Sequence, residues 1–232
     1  MNEKMWRDRP FERRKDPELP DEIQNLRDSI GKDLAKLEEM LKASGMVERS
    51  VGIEFPRGHI RKADYWKSRW SFIKNADLLT DLAYRAQAHD CLRWLINRFD
   101  IDLSVLIMVT FASIVLIASI CEGLCYAACV KEMKHRNIIQ SPPKEFNSMI
   151  NMLHQTLHII DADLAKNLHW LRKLRNDLHV YNSVFSGKSI KPPLGSNVKK
   201  QAIDLLHEHN KAVEVYNRLT ETLEQHFVGF CS

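Results

Sequence analysis

The segment WLRKLRNDLHVYN, residues 170–182, carries two arginines and a histidine within a run of leucines at helical spacing. At 100° per residue, Arg172, Arg175 and His179 fall within about 60° of one another on a helix. An imidazole can take or give a proton near neutral pH, and a guanidinium binds a phosphate through paired hydrogen bonds. This combination suits cleavage of RNA, because the imidazole can deprotonate a 2′-hydroxyl while the guanidinium stabilises the charge of the transition state.

The same three side chains also fit a structural interpretation. Cations are common near the C-terminus of a helix, because they complement its dipole. A neighbouring stripe is expected to face the core, and it consists of Leu168, Leu171, Leu174 and Leu178. The cationic stripe therefore lies beside the buried face, where it is partly shielded and could face a cleft or a second subunit. Spacing alone leaves both interpretations open.

Residues 171–181, LRKLRNDLHVY, resemble the signature of the HEPN superfamily, in which an Arg, usually followed by a polar residue, precedes a His by four to six intervening residues. Arg175 and Asn176 match the dipeptide, His179 the histidine and Tyr181 a trailing tyrosine. Only three residues separate Arg175 from His179, one fewer than the usual minimum. Arg172 is separated from His179 by six residues, but Lys173 stands in place of the polar neighbour.

A second segment, ASICEGLCYAA, is similar to the core helix that precedes the motif helix in HEPN bundles. Its Glu122 lies in an otherwise apolar stretch, and an unpaired buried carboxylate is costly. The resemblance, which covers about residues 99–227, therefore implies that Glu122 is held by a polar partner such as the motif arginine.

The resemblance implies an all-α, HEPN-like helical bundle acting as an endoribonuclease without metal or cofactor, of the toxin or phage-defence type. Arg175 and His179, aided by Arg172 and Asn176, would form the catalytic set in a cleft between two subunits of a homodimer. The implied partners are an RNA substrate and an antitoxin or defence-system protein, which in some family members modifies the tyrosine that corresponds to Tyr181. The shortened spacing keeps a second hypothesis open, in which the bundle is a non-catalytic dimerisation or binding module.

A third hypothesis comes from the apolar segment Leu103–Cys121, whose nineteen residues carry no charge. That length reaches the threshold for a transmembrane helix, and basic residues follow it at 131–136. A central helix of a soluble bundle is also apolar on every side, because its neighbours cover it. We favour the buried helix, because hydroxyl residues dilute the segment and the other amphipathic helices need a surface to pack on.

Three regions are predicted along the chain: a flexible charged tail at 1–20, an N-terminal helical region at 21–98 and the HEPN-like bundle at 99–232. A helix should begin at Asp21, as N-cap, and stop at Gly45. Further helical patterns cover 63–99, with a break near Asn75, then 103–130, 145–178 with an acidic junction at 161–167, and 197–227. Strand signals are nearly absent.

The composition indicates which partners and which cellular compartment suit the protein. The net charge of +4 permits an acidic partner without demanding one. Five cysteines, an odd number, make a disulfide framework improbable and favour a reducing compartment. The first twenty residues contain no apolar stretch of the kind found in a secretory signal. We therefore expect a cytoplasmic location.

Four other patterns were weighed against structural explanations. Cys121, Cys125 and Cys129 share a helix face, and close packing explains them better than a metal site. His154 and His158, with Asp161, have zinc-like spacing but lack the glutamate of a metalloprotease helix. The GKS at 187–189 lacks the earlier glycine of a phosphate loop. The aromatic residues at 66–72 are expected to pack in the core.

Overall fold

The computed structural model describes residues 20–45, 60–98, 103–178 and 198–228, and these residues form helices and no strand. The all-α class is therefore confirmed. The helices are α1 (Asp21–Ala43), α2 (Ala63–Arg69), α3 (Ala76–Arg98), α4 (Leu103–His135), α5 (Phe146–Asn151), α6 (Ala162–Leu178) and α7 (Val198–Val228). A turn of π-helix, Met152–Thr156, follows α5 directly.

The chain divides into two compact units, Met1–Phe55 and Pro56–Ser232. The first contains α1, an amphipathic helix whose apolar residues Ile23, Leu26 and Ile30 are about half exposed. Pro20, and not Asp21, occupies the N-cap position, so Asp21 lies in the first turn, where its charge complements the helix dipole. Gly45 ends the helix as expected, with a φ of 66° that a residue without a Cβ adopts at no steric cost.

The second unit is a helical bundle built around α4. This helix packs against α3, α5, α6 and α7, and the residues on the side that faces them, among them Ile114, Ile117 and Leu124, are fully buried. These neighbours account for the apolar residues on the buried side of α4. Each fully buried leucine or isoleucine contributes about 1.5–3 kcal/mol to folding.

The outer residues of α4 keep the membrane hypothesis open. Among the described residues, α4 is the one helix long and apolar enough to span a bilayer, and 39% of its most apolar 18-residue window is buried. Val105 and Met108, near its N-terminus, are 47% and 64% exposed. Buried polar side chains, including Thr110 and Ser113, mark the side that faces the other helices.

Helices α2 and α3 belong to the same compact unit as α4. The break predicted near Asn75 is present, and the Asn75 side chain caps α3 by accepting a hydrogen bond from the Leu78 backbone N–H at 3.0 Å. Trp66, Trp70 and Phe72 are almost completely buried, as the sequence predicts for a packing face.

The predicted helix through Ile160 is wrong in detail, because it ends in the π-turn. The Leu157 N–H donates to the Met152 carbonyl, and His158 then adopts a φ of 55°. The Ile159 N–H turns back to the Leu153 carbonyl at 2.8 Å, which keeps the buried backbone satisfied. Asp161 caps the next helix, α6, by accepting a hydrogen bond from the Leu164 N–H at 2.7 Å.

Candidate functional site around α6

Helix α6 positions the two arginines of the sequence motif. Leu168 and Leu171 are fully buried, and Leu174 and Leu178 are partly buried against the same core. Because the arginines lie beside this stripe, both side chains are partly shielded from solvent, as expected. Asn176 is described and partly buried, whereas His179 and Tyr181 lie outside the described residues.

Arg175 forms an ion pair with Glu122 of α4. Its Nη1 donates a hydrogen bond to Oε2 of the carboxylate, and the two side chains are 21% and 32% exposed. The resemblance implies a polar partner of this kind for Glu122. The pair lies between the exposed and the fully buried extremes, so its charge-assisted hydrogen bond is partly protected from water. It joins the apolar core helix to the motif helix.

Arg172, one turn earlier, has no such partner. Within the described residues its guanidinium forms no ion pair, and its Nε is buried without a hydrogen-bond acceptor. A partly shielded guanidinium whose N–H donors lack acceptors should bind an anion readily, because these donors have already lost part of their hydration. Arg172 is therefore the better placed of the two arginines to bind a phosphate.

A histidine pair adjoins Arg172. His169 Nε2 lies 3.1 Å from Oδ1 of Asn151, and His154 Nδ1 donates to the Ile160 carbonyl at 3.1 Å. Burial lowers the pKa of His169, and the positive charges of Arg172 and His154 lower it further. His169 therefore favours the neutral imidazole, which can accept a proton. Sequence spacing did not single out His169, although it precedes Arg172 by three residues on the same helix face.

A shallow cavity of about 260 Å³, largely open to solvent, has Glu122 in its lining. Residues of α3, α4 and the segment before α5 line it, with Arg85, Tyr126 and Lys144 among the polar ones. Arg85 donates from Nε to Asp81 at 2.8 Å and from Nη1 to Ser119 at 2.7 Å, which fixes its guanidinium. These residues come from three separate segments, so no sequence motif could have brought them together.

The three cysteines of α4 pack in the core. Cys121, Cys125 and Cys129 are fully buried, and their thiols are free. Burial raises the pKa of Cys129 to about 12 and raises those of Cys121 and Cys125 as well. Protonated thiols are poor ligands and nucleophiles, so packing accounts for these residues.

The zinc-like spacing of His154 and His158 falls on the π-turn rather than on a regular helix. The His158 imidazole donates from Nδ1 to the His154 carbonyl at 3.1 Å, so it serves the turn. In the part of the chain that the structure describes, no group of three or more His, Cys, Asp or Glu side chains is arranged to hold a metal ion. The GKS sequence at 187–189 lies outside the described residues.

Comparison of the chain with protein-family models, with curated proteins and with solved structures found no match.

Proposed function

We propose that the protein is a cytoplasmic endoribonuclease of the HEPN type, in which Arg172, Arg175, Asn176 and His179 act on an RNA phosphodiester. The pairing of Glu122 with Arg175 carries the proposal. It joins Glu122, the one carboxylate of the apolar segment at 103–130, to the arginine of the motif. The neighbouring Arg172 has no ion-pair partner among the described residues. The resemblance adds a homodimer, with two such sites facing each other, and a restraining toxin–antitoxin or defence partner.

The chemistry divides among these side chains. His179 takes the proton of the 2′-hydroxyl, whose oxygen attacks phosphorus. The bond from phosphorus to the 5′-oxygen breaks, and that oxygen takes a proton from water, which leaves a 2′,3′-cyclic phosphate and a 5′-hydroxyl. His179 then returns its proton to the hydroxide so formed. Arg172 stabilises the negative charge on the phosphoryl oxygens, and Glu122 holds Arg175 in place beside it.

The proposal is tested by expressing the wild type and His179→Ala in a bacterial host and by incubating the purified proteins with RNA. The wild type should arrest growth and cut RNA, and His179→Ala should do neither. Arg172→Gln should lower the cleavage rate by about 100-fold, the usual effect of removing one donor to a transition-state oxyanion. Lys173→Gln removes the same charge from the exposed face of α6 and is the matched control.

A substrate with deoxyribose at the cleaved nucleotide provides the chemical control. It lacks the attacking hydroxyl and should remain intact. Intact RNA in every reaction, together with equal growth of the wild type and His179→Ala, would refute the nuclease.

The second candidate function is a dimerisation or binding module without catalysis. The observation that favours it is the short spacing of the motif, because only three residues separate Arg175 from His179. In that case Arg172 would bind an acidic group of a partner rather than a phosphate. The two functions separate in one measurement: the module would bind its partner equally well with His179→Ala and would leave RNA intact.

A further inference from the structure

The cavity beside Glu122 has the size and lining of a site for one nucleobase. Its volume of about 260 Å³ lies just below the range of about 300–1,000 Å³ typical of pockets for drug-sized ligands. Its apolar part is formed by Leu78, Leu82 and Met149. A flat ring with polar edges fits such a space better than a whole oligonucleotide.

The charged groups around the cavity balance. Arg85 and Lys144 carry positive charge, but Asp81 and Glu122 carry an equal negative charge. Among the described residues Asp81 accepts a hydrogen bond through Oδ2, and Glu122 accepts one through Oε2, so each carboxylate retains an oxygen for a ligand. Carboxylate oxygens accept hydrogen bonds from exocyclic amino groups, which adenine, cytosine and guanine carry and uracil lacks.

Tyr126 supplies the aromatic surface that a base requires. It belongs to the lining of the cavity, and the residue is 36% exposed. Stacking on an aromatic ring is tolerant of base identity and contributes to affinity for any base. Lys144 is exposed and forms no ion pair within the described residues, so it is free to meet the phosphate attached to that base.

Glu122 connects the cavity to the proposed cleavage site. The same side chain lines the cavity and pairs with Arg175 of the motif helix. A nucleotide seated in the cavity therefore lies one side chain away from Arg175 of the motif helix.

We propose that this cavity binds the base next to the cleaved phosphate and makes the enzyme prefer a base with an exocyclic amino group over uracil. Tyr126 stacks on the base, Asp81 and Glu122 accept from its amino group, and Lys144 contacts its phosphate. The preference for a flanking base rests on the proposed nuclease function, whereas binding of a free nucleotide does not.

The experiment compares cut positions in an RNA library of random sequence for the wild type, Tyr126→Phe, Tyr126→Leu and Tyr84→Leu. Tyr126→Phe keeps the ring, and Tyr84→Leu removes an exposed tyrosine of α3 that does not line the cavity. We expect the wild type, Tyr126→Phe and Tyr84→Leu to disfavour uracil by about tenfold at one position beside the cut, the value of a 1.4 kcal/mol difference. Tyr126→Leu should lose this preference, because without the stacking ring no base is held against the two carboxylates that accept from its amino group.

A parallel titration of each protein with 5′-AMP, 5′-CMP and 5′-UMP separates the two proposals. AMP and CMP should bind more tightly than UMP, and Tyr126→Leu should raise the Kd for AMP by about 5–100-fold. Cleavage that ignores the flanking base, or a preference that survives Tyr126→Leu, would overturn the base site and leave the nuclease standing. If no RNA is cut, the nuclease proposal fails. Binding of AMP that depends on Tyr126 would then still support the base site, and absence of AMP binding would overturn the base site as well.

Discussion

The buried histidine His89 should make the bundle unstable in mild acid. Its side chain is fully buried on α3, and neither ring nitrogen has a hydrogen-bond partner among the described residues. Its ring centroid lies 6.4 Å from that of His209 and 5.7 Å from that of Tyr216. Burial lowers the pKa of His89 to about 3, with further lowering by the charges of His209, Arg93 and Arg61.

The magnitude follows from linkage between protonation and folding. In the unfolded chain the pKa of a histidine is about 6.5, so the unfolded state binds a proton as the pH falls below that value while folded His89 stays neutral. Stability is therefore fully present above about pH 6.5 and is lost as the pH falls towards the folded pKa. Between pH 7.0 and pH 5.5, His89 alone should lower the free energy of unfolding by about 1.2 kcal/mol.

Urea unfolding at these two pH values, for the wild type and His89→Leu, measures this contribution. The variant should lose about 1.2 kcal/mol less than the wild type, because leucine has no proton to bind. His207→Leu, on an exposed position of α7, removes a histidine outside the buried cluster and is the control. If the wild type and His89→Leu lose the same free energy over this interval, His89 is not held neutral by the fold and the reasoning is wrong.

Three further experiments test the packing. Glu122→Gln should lower the free energy of unfolding by about 1–2 kcal/mol. In a double-mutant cycle with Arg175→Gln, the interaction energy between the two residues should account for most of that loss. An interaction energy of zero would contradict the ion pair. On α4, Ile114→Ala should lower the free energy of unfolding by about 2–5 kcal/mol, and Met108→Ala should lower it by less than about 0.5 kcal/mol. Both values are measured by urea unfolding without detergent. A protein that stays in solution only with detergent would favour the membrane span. Asp90→Asn, which weakens the pair with Arg61, should cost about 1.5–3 kcal/mol, read as a lower Tm.

The helical pattern was predictable because it depends on neighbours in sequence. Leucines three and four residues apart on α6 face the core, and the break before α3 follows from the capping preference of Asn75. The stop at Gly45 has the same local origin. The π-turn was not predictable, because the apolar periodicity continues through it and only the backbone bonds of Leu157 and Ile159 reveal the change.

Contacts between distant segments were predictable only where the sequence called for a partner. A carboxylate in an apolar stretch is costly to leave unpaired, so a polar partner was expected for Glu122, and the resemblance pointed to the motif arginine. The pair is present, although the Glu122 side chain is 32% exposed rather than buried. No such requirement links Ser113 to His209. Ser113 Oγ lies 2.9 Å from His209 Nε2 in the core, and the sequence does not predict this contact. The exposed groups around the cavity were missed for the same reason, since exposed side chains impose no partner.

The two arginines of the motif differ in what they remain free to do. Arg175 matches the family's Arg-Asn dipeptide but is held by Glu122, and it stands one residue too close to His179. Arg172 lacks the polar neighbour but has the family's spacing of six residues to His179, and its guanidinium is without a partner among the described residues. If the catalytic arginine is the one without an ion-pair partner, and not the one that matches the dipeptide, Arg172→Gln should reduce cleavage with little change in stability. Arg175→Gln should reduce cleavage and also lower stability. The opposite assignment of the two effects would return the catalytic role to Arg175.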